Sequence, residues 1–195
     1  MRDAEAIVEQ ITAAFARTDP PGREALFNNH CCECGEVSGA FAGRLWTEIT
    51  LQHLLEGRET ALLTAAAWRY YLPAMMVWCV REPDAVDVIQ DNLVYQLEPP
   101  GDGYGVPEWF NERAAGFSDE QRAAIAAYLD WYRERDEARW GGGEPPPHVY
   151  RALAHWTADF GTGSAGSDGA GGHHEDAGGA LQRRSRGSHV RDRRG

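Results

Sequence analysis

The strongest helical pattern in the chain runs from Leu63 to Val80. It reads Leu63-Thr64-Ala65-Ala66-Ala67-Trp68-Arg69-Tyr70-Tyr71-Leu72-Pro73-Ala74-Met75-Met76-Val77-Trp78-Cys79-Val80. Thr64 suits an N-cap, because its hydroxyl can accept a hydrogen bond from the first turn of a helix. Five large side chains then recur at i, i+3, i+4, i+7 and i+11, which is typical of one buried helix face: Trp68, Tyr71, Leu72, Met75 and Cys79. The segment is therefore predicted to be the central buried helix.

Pro73 interrupts this helix in its middle. Proline has no amide hydrogen, and it disfavours helical geometry at the preceding residue, here Leu72. The sequence predicts a helix that kinks at this point or splits into two.

Six further segments carry helical spacing or helix start signals. The clearest begins with the capping box Ser118 to Gln121, in which each residue can bond the backbone of the other. A short edge strand is conceivable only at 93–97, and 99–107 can only be loop because it is rich in Gly and Pro. The predicted helices cover residues 3–17, 33–46, 50–56, about ten residues after Glu82-Pro83-Asp84, 118–132 and 149–160.

Composition divides the chain at about residue 160. From Gly161 onward it turns to Gly, Ser, Ala, His and Arg, which cannot bury enough apolar surface to offset the entropy of ordering. The predicted fold is thus mainly α, with a single compact multi-helix domain at 1–160 and a disordered tail at 161–195.

The net charge of the chain limits the kinds of ligand that the protein is expected to bind. The net charge is −11, and the tail contributes +2, so the remainder carries −13. An acidic body argues against nucleic acid as the main ligand. No apolar run approaches the ~20 residues of a membrane span, and the first residues do not read as a secretory signal. We expect a cytoplasmic protein without a membrane partner.

The cluster His30-Cys31-Cys32-Glu33-Cys34 is the sharpest chemical motif. Zinc favours thiolate and imidazole ligands, and His30, Cys31 and Cys34 lie close enough in sequence to share one ion. A structural zinc site usually has four ligands, so a fourth would have to arrive through the fold from His53, Cys79, His148 or His155. Zinc is therefore a possible cofactor, although reduced and partly buried cysteines account for the same pattern, and no cofactor is otherwise expected.

Two other readings of these cysteines are weaker. A redox Cys-x-x-Cys usually joins a strand to a helix, and no such pattern surrounds Cys31 and Cys34. A cysteine hydrolase with a distant histidine is conceivable in any chain with four Cys and seven His.

Arg69 and Tyr70 fall off the buried stripe of the central helix. They are predicted to face another helix, solvent or a protein partner, and we take them as a candidate partner surface. Most of the other aromatic side chains are expected in the core.

The Leu63–Ala74 run, together with Phe117–Ile125, resembles an uncharacterised family of small bacterial proteins. In that family the first run reads approximately Leu-Thr-Pro-Glu-aromatic-basic-Tyr-Tyr-Leu-Pro-Ala, and here Ala65 and Ala66 replace Pro-Glu. The resemblance covers residues 5–135. Some relatives also look like His-Cys-x-Glu-Cys ahead of the first run, a pattern that His30, Cys31, Glu33 and Cys34 match. It implies a fold and a domain boundary but supplies no catalytic residue.

The sequence thus favours a non-enzymatic, cytoplasmic helical module that binds a protein through Arg69 and Tyr70, because no complete catalytic constellation is visible. One alternative is a zinc protein or metal-dependent hydrolase built on His30, Cys31 and Cys34. Another is an immunity-type protein, which rests only on the acidic body.

Overall fold

The computed structural model describes residues 2–22, 25–27, 33–86, 88–101, 107–139 and 147–158. Across these ranges the chain forms eight α-helices and no named strand, which confirms the predicted mainly α class. A lone antiparallel bridge joins Phe27 to Leu63. The helices are α1 (Ala4–Phe15), α2 (Cys34–Phe41), α3 (Leu51–Glu56), α4 (Ala65–Arg81), α5 (Val88–Leu97), α6 (Glu108–Ala114), α7 (Asp119–Arg139) and α8 (Pro147–Thr157).

Helix α4 is the centre of the core, as its pattern predicts. Thr64 caps it by accepting the Ala67 N–H at 3.2 Å, and the helix packs against α1, α5 and α6. Twelve of its 17 residues are buried, so apolar packing surrounds it rather than following one stripe.

The predicted break at Pro73 does not divide this helix. Helix α4 is continuous from Ala65 to Arg81 although Pro73 cannot donate to the carbonyl of Arg69. Pro73 is itself buried, and burial of the side chains before and after it stabilises both halves in one helix. Tertiary packing therefore outweighs the local cost of the proline.

Helices α1, α7 and α8 complete the bundle, since α7 packs against both of the others and α1 also packs against α4. The start of α7 carries the predicted capping box: the Ser118 N–H donates to Gln121 Oε1 at 3.1 Å, and the Gln121 N–H donates to Ser118 Oγ at 3.3 Å. Asp3 likewise caps α1 through the Glu5 N–H at 3.1 Å.

Three sequence predictions need correction. The possible edge strand at 93–97 is wrong, because these residues form the second half of α5 and bury Leu93, Val94 and Leu97. Helix α2 ends at Phe41 instead of continuing to residue 46, since Gly43 takes a φ of +75° that a helix does not accommodate. Helix α6 was not predicted at all.

None of the described helices is long and apolar enough to cross a membrane. Residues Met1–Asp159 form one compact unit. The predicted tail, 161–195, lies outside the described residues.

Candidate functional site

A groove of about 1000 Å³ lies between the last turns of α1 and the first turns of α7. We call it the α1–α7 groove. Its apolar lining comes from Ala13, Ala14, Phe15, Phe117 and Ala123, and its polar lining from Gln10, Arg17, Thr18, Arg69, Ser118, Glu120 and Gln121. The groove is open to solvent, so it is a cleft rather than an enclosed cavity.

Aromatic packing fixes the apolar side of the groove. The rings of Phe15 and Phe117 meet edge to face with centroids 6.1 Å apart. Phe117 continues this packing onto Trp156 at 5.5 Å and Trp68 at 6.5 Å. Because Phe15 and Trp68 are buried in the core, the groove rests on a rigid aromatic base.

Gln121 ties the two walls together. Its Oε1 accepts the Ser118 N–H in the capping box, while its Nε2 donates to Thr18 Oγ1 at 3.2 Å. One side chain therefore caps α7 and holds it to the residues that follow α1. The separation of the two walls is set by this bridge and by the Phe15–Phe117 contact.

Arg69 reaches the groove from α4, beside the turn that joins α6 to α7. Its Nη1 donates to the Glu112 carbonyl of α6, and a Cβ added at Gly116 would lie 3.8 Å from Arg69 Nε. Partial burial lowers the pKa of Arg69, and the Glu112 carboxylate opposes this only in part. Among the described residues, Arg69 has no carboxylate within ion-pair distance, and the Glu112 carbonyl is its one hydrogen-bond acceptor.

A second arginine, Arg113 of α6, lies close to the same helix pair but is only 7% exposed. Its Nη1 donates to Gln96 Oε1 at 3.1 Å, and its Nη2 donates to the carbonyls of Ala61 at 2.8 Å and Leu63 at 3.3 Å. Its guanidinium carbon lies 5.2 Å from the ring centroid of Trp68 and 5.4 Å from that of Trp109. We call Arg113, Trp68, Trp109 and Gln96 the Arg113 clamp.

The groups that contact the Arg113 guanidinium in this clamp are neutral hydrogen-bond acceptors and aromatic rings. Burial lowers the pKa of Arg113 to about 10, which still leaves the side chain cationic at neutral pH. Trp68 Nε1 donates to Gln96 Oε1 at 2.8 Å, and Gln96 Nε2 donates to Thr60 Oγ1 at 3.1 Å. The clamp thereby fixes the segment that leads into α4 against α5 and α6.

Tyr70, the other half of the predicted partner surface, lies in the core and is 2% exposed. Its hydroxyl accepts the Trp46 N–H at 3.3 Å, and its ring packs against Tyr71 at 4.9 Å. Tyr70 lies off the stripe predicted from helical spacing, but α4 is buried nearly all round, so a position off that stripe is buried too. Only Arg69 of this pair reaches a surface.

Of the three predicted zinc ligands, the structure describes Cys34. His30 and Cys31 lie outside the described residues, while Cys34 is the first residue of α2 and is buried. Among the residues that are described, no three His, Cys, Asp or Glu side chains form a group that could hold a metal ion. The zinc site stays a prediction.

The four suggested sources of a fourth ligand have separate surroundings. His53 accepts the Thr50 N–H at the start of α3, His148 stacks on Tyr95, and His155 packs on Phe110. Cys79 is fully buried, and burial raises the pKa of its thiol to about 12. Since zinc binds the thiolate, burial disfavours Cys79 as a ligand.

Sequence reasoning missed both the groove and the clamp. The capping box signalled the start of α7, but nothing in the sequence indicates that Gln121 also reaches Thr18, 103 residues away. Arg113 lies in a helix of seven residues with no distinct periodic pattern. The one signal in the sequence was the i, i+4 spacing of Trp109 and Arg113, which lets the two side chains meet on a helix.

A family model described as a family of unknown function, DUF6714, matches residues 3–158. No curated protein and no solved structure matches the chain.

Proposed function

We propose that this chain, which belongs to the family of unknown function DUF6714, is a non-enzymatic cytoplasmic module that binds a segment of a protein partner in the α1–α7 groove. The observation that carries the proposal is a half-buried arginine beside an apolar cleft. Among the described residues no carboxylate lies within ion-pair distance of Arg69, and the Glu112 carboxylate offsets its partial desolvation only in part.

The lining of the groove is suited to recognition. Apolar side chains offer surface that gains from removal from water, and a few polar groups around them offer hydrogen bonds that fix orientation. The groove is open to solvent, so it can admit a segment of polypeptide.

The base of the groove is already ordered. Phe15 and Phe117 pack against each other, and the Gln121–Thr18 bond joins the walls. A ligand would therefore pay little to organise the site, which favours binding by reducing its entropic cost.

A substitution that fills the groove tests this function. Ala123 is exposed on the groove wall, so Ala123→Trp should block the cleft without disturbing the core. Ala138 is exposed near the other end of the same helix, so Ala138→Trp is a matched control. We would compare proteins captured from the source-cell lysate by the wild-type chain and by both variants, and then measure direct binding of each captured candidate by calorimetry.

We expect at least one purified candidate to bind the wild-type chain and Ala138→Trp but not Ala123→Trp. Equal binding to the two variants, or no direct binding to the wild-type chain, would overturn the function. Circular dichroism melts of both variants would establish that they fold.

A further inference from the structure

The charges around the α1–α7 groove differ in sign from the charge of the whole chain. The full sequence carries −11, yet the ionisable side chains that line the groove are Arg17, Arg69 and Glu120. The lining is therefore locally cationic. An anionic group is the ligand that this part of the surface favours.

The one carboxylate in the lining is already engaged. Ser118 Oγ donates to Glu120 Oε2 at 2.7 Å, and this bond, with the backbone N–H of Glu120 itself, lowers the pKa of that carboxyl. Glu120 thus completes the start of α7, where a negative charge also complements the helix dipole. It does not form an ion pair with Arg69.

Arg69 has the geometry to receive an external carboxylate. A guanidinium presents five N–H donors, and among the described residues the Glu112 carbonyl takes up one of its nitrogens. Burial disfavours the charged form of Arg69 and lowers its pKa, and the Glu112 carboxylate offsets this only in part. A carboxylate that bonds two guanidinium nitrogens would remove that disadvantage, and apolar surroundings strengthen such a bond.

The rest of the molecule limits how much negative charge the ligand can carry. A polyanion would meet a body of −13 outside the 161–195 tail, so long-range repulsion opposes it. A single carboxylate flanked by apolar residues would reach Arg69 and use the apolar lining. Because the groove is open to solvent, the carboxylate can come from a side chain within a continuous segment.

We infer that the partner segment bears one Asp or Glu side chain that pairs with Arg69, flanked by apolar residues that pack on Phe117 and the wall alanines. This inference rests on the proposed function and names the chemistry of its ligand.

Random 12-residue peptides displayed as internal segments on phage would test it. They would be selected against the full-length wild-type chain and counter-selected against Ala123→Trp. Enriched sequences would be synthesised with both ends blocked, each as an acidic peptide and as its Asp→Asn or Glu→Gln counterpart. Binding to the wild-type chain, Arg69→Gln, Arg69→Lys and Arg58→Gln would be measured by calorimetry. Arg58 is the control because it is exposed and lies beside Glu59, away from the groove.

In the wild-type chain we expect the amide peptide to bind about 10- to 100-fold more weakly than the acidic one, the range for a hydrogen bond to a charged group. In Arg69→Gln the two peptides should bind alike, because the interaction is then absent from both. Arg69→Lys should retain part of the preference, since it keeps the charge but not the planar pair of donors. Arg58→Gln should match the wild-type chain.

The outcomes separate the two proposals. Peptides that bind the groove but lack an acidic residue, or that bind Arg69→Gln as well as the wild-type chain, would overturn the inference and leave the binding function standing. Binding that requires an unblocked C-terminus would also overturn it, since the carboxylate would then come from a chain end. Failure to select any peptide that distinguishes the wild-type chain from Ala123→Trp would count against both.

Discussion

The Arg113 clamp and the α1–α7 groove each contain an arginine that links α6 to α4 or to the segment before it. Arg69 of α4 donates to a carbonyl of α6, whereas Arg113 of α6 donates to the carbonyls of Ala61 and Leu63, just before α4. Burial lowers the pKa of both side chains. Residue type and pKa direction therefore do not distinguish them.

The hydrogen bonds and surroundings of Arg69 and Arg113 do distinguish the two side chains. Arg113 bonds three acceptors through its two terminal nitrogens and lies near the rings of Trp68 and Trp109. Arg69 bonds one carbonyl and faces a cleft of about 1000 Å³. The comparison suggests that a buried arginine with its acceptors in place maintains the fold, while one beside an open groove is available to a ligand.

Replacing Arg113 with methionine should have the largest effect. Methionine keeps much of the apolar stem but leaves the carbonyls of Ala61 and Leu63 without this donor in a buried setting. We expect the free energy of unfolding to fall by about 2–4 kcal/mol, because a buried acceptor left without its donor costs about 1–3 kcal/mol. Urea denaturation would measure it, with exposed Arg58→Met as a control that should change stability by less than about 0.5 kcal/mol. A loss below about 1 kcal/mol for Arg113→Met would contradict the assigned role.

Removing Trp109 should weaken the clamp by a smaller amount. Trp109 is 44% exposed, so its main buried interaction is with the Arg113 guanidinium and the edge of Phe110. We expect Trp109→Ala to cost about 1–2 kcal/mol, in the range of a partly desolvated cation–π contact with some lost packing. The double variant with Arg113→Met should cost less than the sum of the two, because the interaction is shared. Additive losses would show that Trp109 and Arg113 act independently.

Of the two arginine substitutions, Arg69→Gln should change the free energy of unfolding less than Arg113→Met. The lost bond to the Glu112 carbonyl is exposed, and partial burial disfavours the charge of Arg69, so we expect a change below about 1 kcal/mol. The same urea titration would check it beside Arg113→Met. If Arg69→Gln destabilised the protein as strongly as Arg113→Met, both arginines would be structural and the contrast would disappear.

His155 offers a pH-dependent test near both regions. Burial, and to a smaller extent the charge of Arg122, lowers the pKa of His155. Since the unfolded chain then takes up the proton more readily, the contribution of neutral His155 to stability is complete above pH ~6.5 and is lost as the pH falls below it. Thermal unfolding between pH 7.5 and 5.5 should show a smaller decline for His155→Gln than for the wild-type chain. Identical declines would indicate that other groups dominate this range.

Much of the secondary structure could be predicted from local signals. Thr64 and Ser118 cap helices where the sequence indicates, and α1, α3 and α8 form close to the predicted ranges. The failures have local causes too: Gly43 ends α2 early, and α6 is too short to show a periodic pattern. The candidate site was less predictable, since only Arg69 of the proposed surface pair reaches the groove and Tyr70 is buried.

By itself, the sequence determined the helical class, the central place of 63–80 and most helix starts, because caps and apolar spacing act over a few residues. Only the tertiary structure decided that Pro73 lies within a continuous helix, that Tyr70 is core, and that Gln121 meets Thr18. It also decided which arginine has its acceptors in place. These outcomes depend on contacts between residues distant in the chain, and the energy of such contacts exceeds the local preferences that a sequence pattern expresses.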